Sequence, residues 1–272
     1  MNTYNVFAYD AGGADLASRV TWTPWYDEES EGRCMLHLGF SATERRCTNG
    51  QDRLRVRGTV RNGLSQAWSN FADTTIFYSS GSTLLVPEVA LLMGSWQFQA
   101  EYFGQWNRDV AVQGAGGVPN PGPNLGTAYF QGYYAQVGYF LTGEHRHYER
   151  KNGAFGRIIP HENFHWLKSG RGYNLLTSGA WQVLYRYQML DLDDPRLANV
   201  NAVSAGAVNG VGGGTVYDHT LGLNHFLNPN MKVQYNVVIG ERGPSAATPA
   251  IAGQTQTGGM FYGFGWRFAF DF

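Results

Sequence analysis

At its C-terminal end the chain alternates. Met260, Tyr262, Phe264, Trp266, Phe268, Phe270 and Phe272 are apolar, and Phe261, Gly263, Gly265, Arg267, Ala269 and Asp271 stand between them. This period of two predicts a strand with one aromatic face and one small or charged face, longer than the five or six residues of an ordinary globular strand. The pattern recurs. Trp181, Val183, Tyr185, Tyr187 and Met189 alternate with Gln182, Leu184, Arg186 and Gln188, and Val233, Tyr235, Val237 and Ile239 with Lys232, Gln234, Asn236 and Val238. The segments beginning at Trp96, Tyr133 and Leu36 repeat it, and residues 16–24 and 217–226 show a weaker version. No segment sustains a helical period, and about ten or eleven strands are predicted.

The connections sort by length. Met93-Gly94-Ser95 and Leu227-Asn228-Pro229-Asn230 are short, whereas residues 106–126, 191–214 and 242–257 are long and rich in Gly, Pro, Asn and Ala. Short turns at one end and long loops at the other predict an all-β, antiparallel transmembrane barrel. Counting back from Phe272 at the periplasmic side makes residues 45–81 an unusually long outer loop. Residues 142–178 then become a long segment on the side where turns are normally short, and insertion into the lumen accounts for both. The expected organisation is a single barrel domain over residues 1–272 with these two insertions.

Charged residues make up 15%, aromatic residues 15%, and glycines number 36 of 272. That is less charge than the about 25% of soluble domains, as a wall with one apolar face requires. A soluble β-rich binding module of lectin type shares the glycine and turn content and is the alternative; it would extract into buffer without detergent. The formal net charge of −1 gives no global pull toward nucleic acid. No run of about 18 apolar residues forms a transmembrane helix. The first residues lack the basic and apolar regions of a signal peptide, so an outer-membrane chain of this sequence is expected to be N-terminally incomplete, with its signal peptide upstream.

The sequence resembles the phosphate-selective porin family, of the porin O and P type. The resemblance rests on Arg19-Val20-Thr21-Trp22-Thr23-Pro24-Trp25-Tyr26-Asp27-Glu28, Leu36-His37-Leu38-Gly39 and Gln99-Ala100-Glu101-Tyr102-Phe103. It continues through Tyr139-Phe140-Leu141-Thr142-Gly143-Glu144-His145-Arg146, Lys151-Asn152-Gly153-Ala154-Phe155-Gly156-Arg157 and Leu221-Gly222-Leu223-Asn224. It implies a sixteen-stranded outer-membrane barrel assembled as a homotrimer, a passive diffusion channel for phosphate and related small anions rather than an enzyme, and no cofactor. It further implies contacts with lipid and lipopolysaccharide, and recognition of the terminal Phe272 by the barrel-assembly machinery.

Candidate chemistry is therefore a permeation path. Arg53, Arg55 and Arg57 alternate inside the long outer loop and would share one face of a strand, offering planar forks to phosphate oxygens. The alternative is a solvated loop face or a lipopolysaccharide contact. In the second insertion Arg146, Arg150, Lys151, Arg157, Lys168 and Arg171 outweigh Glu144, Glu149 and Glu162, and four histidines add charge at low pH; the alternative is a solvated run of mixed pairs. Arg186 and Arg267 fall on inward faces of strands and extend the path.

His161-Glu162-Asn163-Phe164-His165 fits the zinc-protease spacing of two histidines four apart with a glutamate between. A zinc hydrolase is the weaker alternative. The extended pattern needs glycine three residues after His165, where Lys168 stands, and no glutamate follows before Glu241. A lipase-like use of His219 with Ser204 or Ser245 has nothing in the sequence to position it. Cys34 and Cys47 fall at opposite ends of one predicted strand, about 40 Å apart, beyond the reach of a disulfide, so free thiols are expected.

Overall fold

The computed structural model describes residues 14–46, 50–59, 71–74, 77–112, 124–164, 178–194, 213–243 and 258–271. Nine long strands form one antiparallel sheet: β1 (Ala14–Tyr26), β2 (Cys34–Arg46), β7 (Gly81–Met93), β8 (Trp96–Arg108), β10 (Ala128–Phe140), β13 (Ala180–Asp191), β14 (Thr215–Asn228), β15 (Met231–Arg242) and β16 (Gly259–Phe270). Each pairs with its neighbour in that order, and the sheet stays open between β1 and β16. Seven two-residue strands lie in the connections: β3 (Gln51–Asp52), β4 (Arg55–Val56), β5 (Ala72–Asp73), β6 (Phe77–Tyr78), β9 (Ala111–Val112), β11 (Tyr148–Glu149) and β12 (Ala154–Phe155). The all-β antiparallel expectation holds. The nine long strands among the described residues stand against the ten or eleven expected.

Register carries the alternation across the sheet. Val137, Tyr185, Leu221, Val237 and Phe264 all face outward, on strands that pair in succession. Exposure follows parity: Val237 is 44% exposed and its neighbour Val238 only 1%. The outer face carries an aliphatic middle that includes Val137, Val183, Leu221 and Val237. It is flanked toward the short turns by Trp96, Tyr139, Trp181 and Phe268, and toward the long loops by Tyr102, Tyr129, Tyr187 and Tyr217. From Trp181 to Tyr187 is about 20 Å of strand. The inner face is polar and hydrogen-bonded from strand to strand: Gln136 donates to Gln99 (2.7 Å), Asn224 to Gln182 (2.9 Å) and Gln234 to Asn224 (3.0 Å).

β7 is the strand the alternation does not announce. Pro87 has no N–H to give a ladder and argues against a central strand. The structure accommodates it with a gap: β7 pairs with β8 from Gly81 to Leu85 and again from Glu88 to Met93, skipping Val86 and Pro87.

The connection between β2 and β7 packs onto the inner face at the long-loop end. Leu54, Ala72 and Phe77 from it close against Phe130 of β10, Leu190 of β13 and Val216 of β14, and each large side chain so buried contributes roughly 1.5–3 kcal/mol. The connection between β10 and β13 carries the β11–β12 hairpin, where Tyr148 packs with Met35 and Leu92 of the wall. Cys34 begins β2 and is a free thiol; Cys47 lies outside the described residues, as do Lys168, Arg171, Ser204, Ser245 and Phe272.

The turn joining β7 to β8 contains two residues, Gly94 and Ser95, with Gly94 at φ +61°. A first central residue with positive φ is the requirement of a type II′ hairpin. Gly94→Val is expected to destabilise the protein by about 1–2 kcal/mol, read as a lower urea midpoint of the chain folded in detergent micelles.

Candidate functional site

A cavity of about 1230 Å³ opens on the inner face between β10, β13, β14, β15 and β16 and the two long connections. Six cationic side chains line it: Arg186 from β13, Lys232 from β15 and Arg267 from β16 on the wall, Arg146 and Arg157 from the β10–β13 connection, and Arg57 from the β2–β7 connection. Two acidic residues, Glu149 and Asp271, stand among them. Asp271 is already paired with Arg157, Oδ2 to Nε at 3.0 Å, and Arg157 also donates to Asn230 Oδ1 at 2.9 Å.

Two of the guanidiniums are held by rings rather than by acids. Arg186 lies 3.8 Å from the centroid of Tyr134, and Arg146 lies 4.4 Å from that of Phe155. The Nε of each is shut off from solvent and has no hydrogen-bond partner among the described residues. A stacked guanidinium is fixed in direction while its charge stays unneutralised. Burial lowers the pKa of Arg146 from its ordinary value, yet arginine starts so high that the group stays cationic. A buried charged donor without an acceptor is costly.

Arg57 is placed by a tether two residues on. Thr59 donates to Asp218 of β14 (2.6 Å) and accepts from Gln188 of β13 (2.9 Å). The other arginines of that run lead elsewhere. Arg53 is bound at both Nε (2.8 Å) and NH2 (2.6 Å) to the buried carboxylate of Asp73, and Arg55 is not among the lining residues. The alternation rule needs one continuous strand, but β3 ends at Asp52 and β4 holds only Arg55 and Val56, so the three do not share a face with the cavity. Arg150 pairs with Glu28 and stacks 4.6 Å from the centroid of Tyr26, and Lys151 is exposed beside it on the same turn.

Of the eleven cations singled out by sequence, the structure brings Arg57, Arg146, Arg157, Arg186 and Arg267 to the cavity and leaves Arg53, Arg55, Arg150 and Lys151 outside it, while Lys168 and Arg171 lie outside the described residues. Lys232 was the omission. Its parity already put it on the inner face of β15, with Gln234 and Asn236. The partners Tyr134 and Phe155 had no sequence signal, since nothing in a single chain tells which ring an arginine will lie against.

Histidine adds little to this charge near neutral pH at His145. Burial, and then the neighbouring Arg33, His147 and His161, lower its pKa, so it takes a proton only in more acidic solution than an ordinary histidine. The backbone N–H of His161 donates to Glu144 Oε1 at 3.2 Å, and His165 lies outside the described residues. Among the described residues no group of three or more His, Cys, Asp or Glu could hold a metal ion.

Comparison with known proteins follows the same line. The profile of the family described as "Phosphate-selective porin O and P" matches residues 4–264. Porin O of Pseudomonas aeruginosa is 32% identical over 103 residues, which is 38% of this chain and 19% of that protein. An uncharacterized protein of Caulobacter vibrioides is 32% identical over 166 residues, 60% of this chain and 28% of that protein. The chain thus matches less than a third of the length of either relative. With an antiparallel sheet of long alternating strands and a family match over nearly all its length, the chain belongs to the phosphate-selective porin O and P family.

Proposed function

We propose that the chain forms the wall and inner lining of a passive outer-membrane channel that favours small anions, phosphate among them. The observation that carries the reading is the charge of the cavity: six cations against two acids, with two guanidinium Nε donors unpartnered and buried. Rings of Arg and Lys favour anions in a pore. Charges set against the low-dielectric wall of such a site are less screened than in bulk. An anion crosses by exchanging its hydration for guanidinium and amide donors, and departs because those donors are spread over several strands rather than closed around one point. No covalent step is involved.

The outer face supports the membrane half of the reading. An apolar face this extensive is more than a soluble monomer normally exposes, and an aliphatic band between two aromatic belts is the arrangement of a wall facing hydrocarbon. In this reading the barrel works as a homotrimer against lipid and lipopolysaccharide.

The zero-current potential across a planar bilayer under a potassium chloride gradient tests the channel. The expected sign is that of anion preference, with phosphate reducing the chloride current. A cation-side or zero potential ends the anion reading. Arg186→Ala removes a stacked, unpartnered guanidinium and is expected to weaken block by phosphate about tenfold, in keeping with the 1.5–3 kcal/mol of a hydrogen bond to a charged group. Leu221→Arg, at an outward position that is 58% exposed, is expected to cost about 2–4 kcal/mol in a bilayer, while Thr220→Arg on the inner face costs far less. Guanidinium titration of the chain folded into phospholipid vesicles measures the difference, and equal effects would remove the lipid from the outer face.

A further inference from the structure

The β11–β12 hairpin stands between two parts of the sheet. One side, through Glu149, Phe155 and Gly156, lines the cavity. The other meets β1, β2 and β7, none of which contributes a lining residue. At that second contact the chain has buried a polar network that the permeation path does not use.

The network begins at Tyr148, whose hydroxyl lies 2.5 Å from His37 Nδ1, with the histidine 5% exposed. His37 Nε2 lies 3.2 Å from Glu88 Oε1. The same oxygen accepts from Arg19 Nε at 3.0 Å and NH2 at 2.5 Å, and Arg19 NH2 reaches on to the carbonyl of Gly153 at 3.4 Å, in the hairpin turn. With Glu88 accepting from Arg19 as a carboxylate, Nε2 of His37 carries the proton and Nδ1 accepts from Tyr148. This network therefore holds the hairpin at two points, its first strand through Tyr148 and its turn through Gly153, beside the contact of Arg150 with Glu28 and Tyr26 at its exposed edge.

One glycine makes the geometry possible. Arg19 is on β1 and Glu88 on β7, with β2 between them, so the glutamate must lie across the middle strand. The residue it crosses, paired with it in register, is Gly39. A Cβ there would fall 2.1 Å from Glu88 Oε1. Any side chain at position 39 displaces the carboxylate from both its partners.

The link to the cavity is short. Tyr148 packs edge-on to Phe155, centroids 5.6 Å apart, and Phe155 is the ring on which Arg146 lies. A hairpin that moves carries Arg146 with it. We propose that Arg19, His37, Gly39 and Glu88, together with Tyr148, are positioning residues for selectivity: they pin the hairpin to the β1–β2–β7 wall and so fix where Arg146 presents its charge. The inference rests on the anion-channel reading for its consequence, but the pin itself does not.

The test measures two quantities on the full chain folded into lipid bilayers: hydrogen exchange of the 144–158 peptide, and the anion-to-cation permeability ratio. In Tyr148→Phe and in Glu88→Gln, exchange in the hairpin is expected to rise at least about tenfold while peptides of β13 and β14 stay protected, and the permeability ratio is expected to fall by half or more. Arg19→Lys, which keeps a cation at Glu88, retains most of the hairpin's protection and of the permeability ratio. Arg108→Ala, which breaks the pair with Glu44 at the long-loop end, leaves both unchanged. Unaltered hairpin exchange in both Tyr148→Phe and Glu88→Gln overturns the pin. Faster exchange with an unchanged ratio in an anion-selective channel overturns its role in selectivity. Faster exchange in a channel with no anion preference supports the pin and brings down the anion reading instead.

Discussion

A backbone amide or carbonyl in hydrocarbon has no water to turn to, so every one must be satisfied inside the protein. A sheet of long antiparallel strands meets that demand, and most features of this chain descend from it. Strands of twelve to fourteen residues repeat around the sheet, their ladders fix which residues stand level with one another, and the pleat then sends alternate side chains to opposite faces. The outward set has only to be apolar. The inward set is free to be polar, and the strand-to-strand bonds among Gln99, Gln136, Gln182, Asn224 and Gln234 show that freedom in use.

Against that regular wall, the charge chemistry depends on how each cation is held. Arg53 gives its fork to Asp73, and Arg108 donates to Glu44. Such pairs tie segments together and cancel their own field. Arg146 and Arg186 instead rest on aromatic faces, which hold a guanidinium by its plane without a countercharge. The same residue type thus appears in two states, one neutralised and one available, and the distinction is made by the neighbour rather than by the arginine. Lys232 shows a looser version, its ammonium 5.8 Å from the Phe226 centroid.

What could be read from the sequence was what repeats. Period two marked the strands from Met260 onward, at Trp181 and at Val233, and the sequence also showed which connections are long. Parity put Arg186, Arg267 and Lys232 inward. β7 was bracketed by the loop ending at residue 81 and the turn at Met93-Gly94-Ser95 rather than marked by alternation, and the ladder's local gap at Val86 and Pro87 has no signature in composition. The run from Arg53 to Arg57 misled for a related reason: alternation was assumed to continue where the backbone turns between β3 and β4. The contacts that place the cavity cations join residues far apart in the chain, such as Thr59 with Asp218 and Arg157 with Asp271, and no local pattern reports them.

The sheet counts nine long strands among the described residues, and nine is odd. Successive antiparallel neighbours reverse direction, so β1 and β16 point the same way along the barrel axis. Laid edge to edge they would meet as parallel strands, with slanted bonds unlike those at the other eight seams. A cylinder in which every seam is antiparallel takes an odd number of further strands between these two edges. That arithmetic, set by hairpin connectivity alone, applies to any closed wall that contains these nine strands.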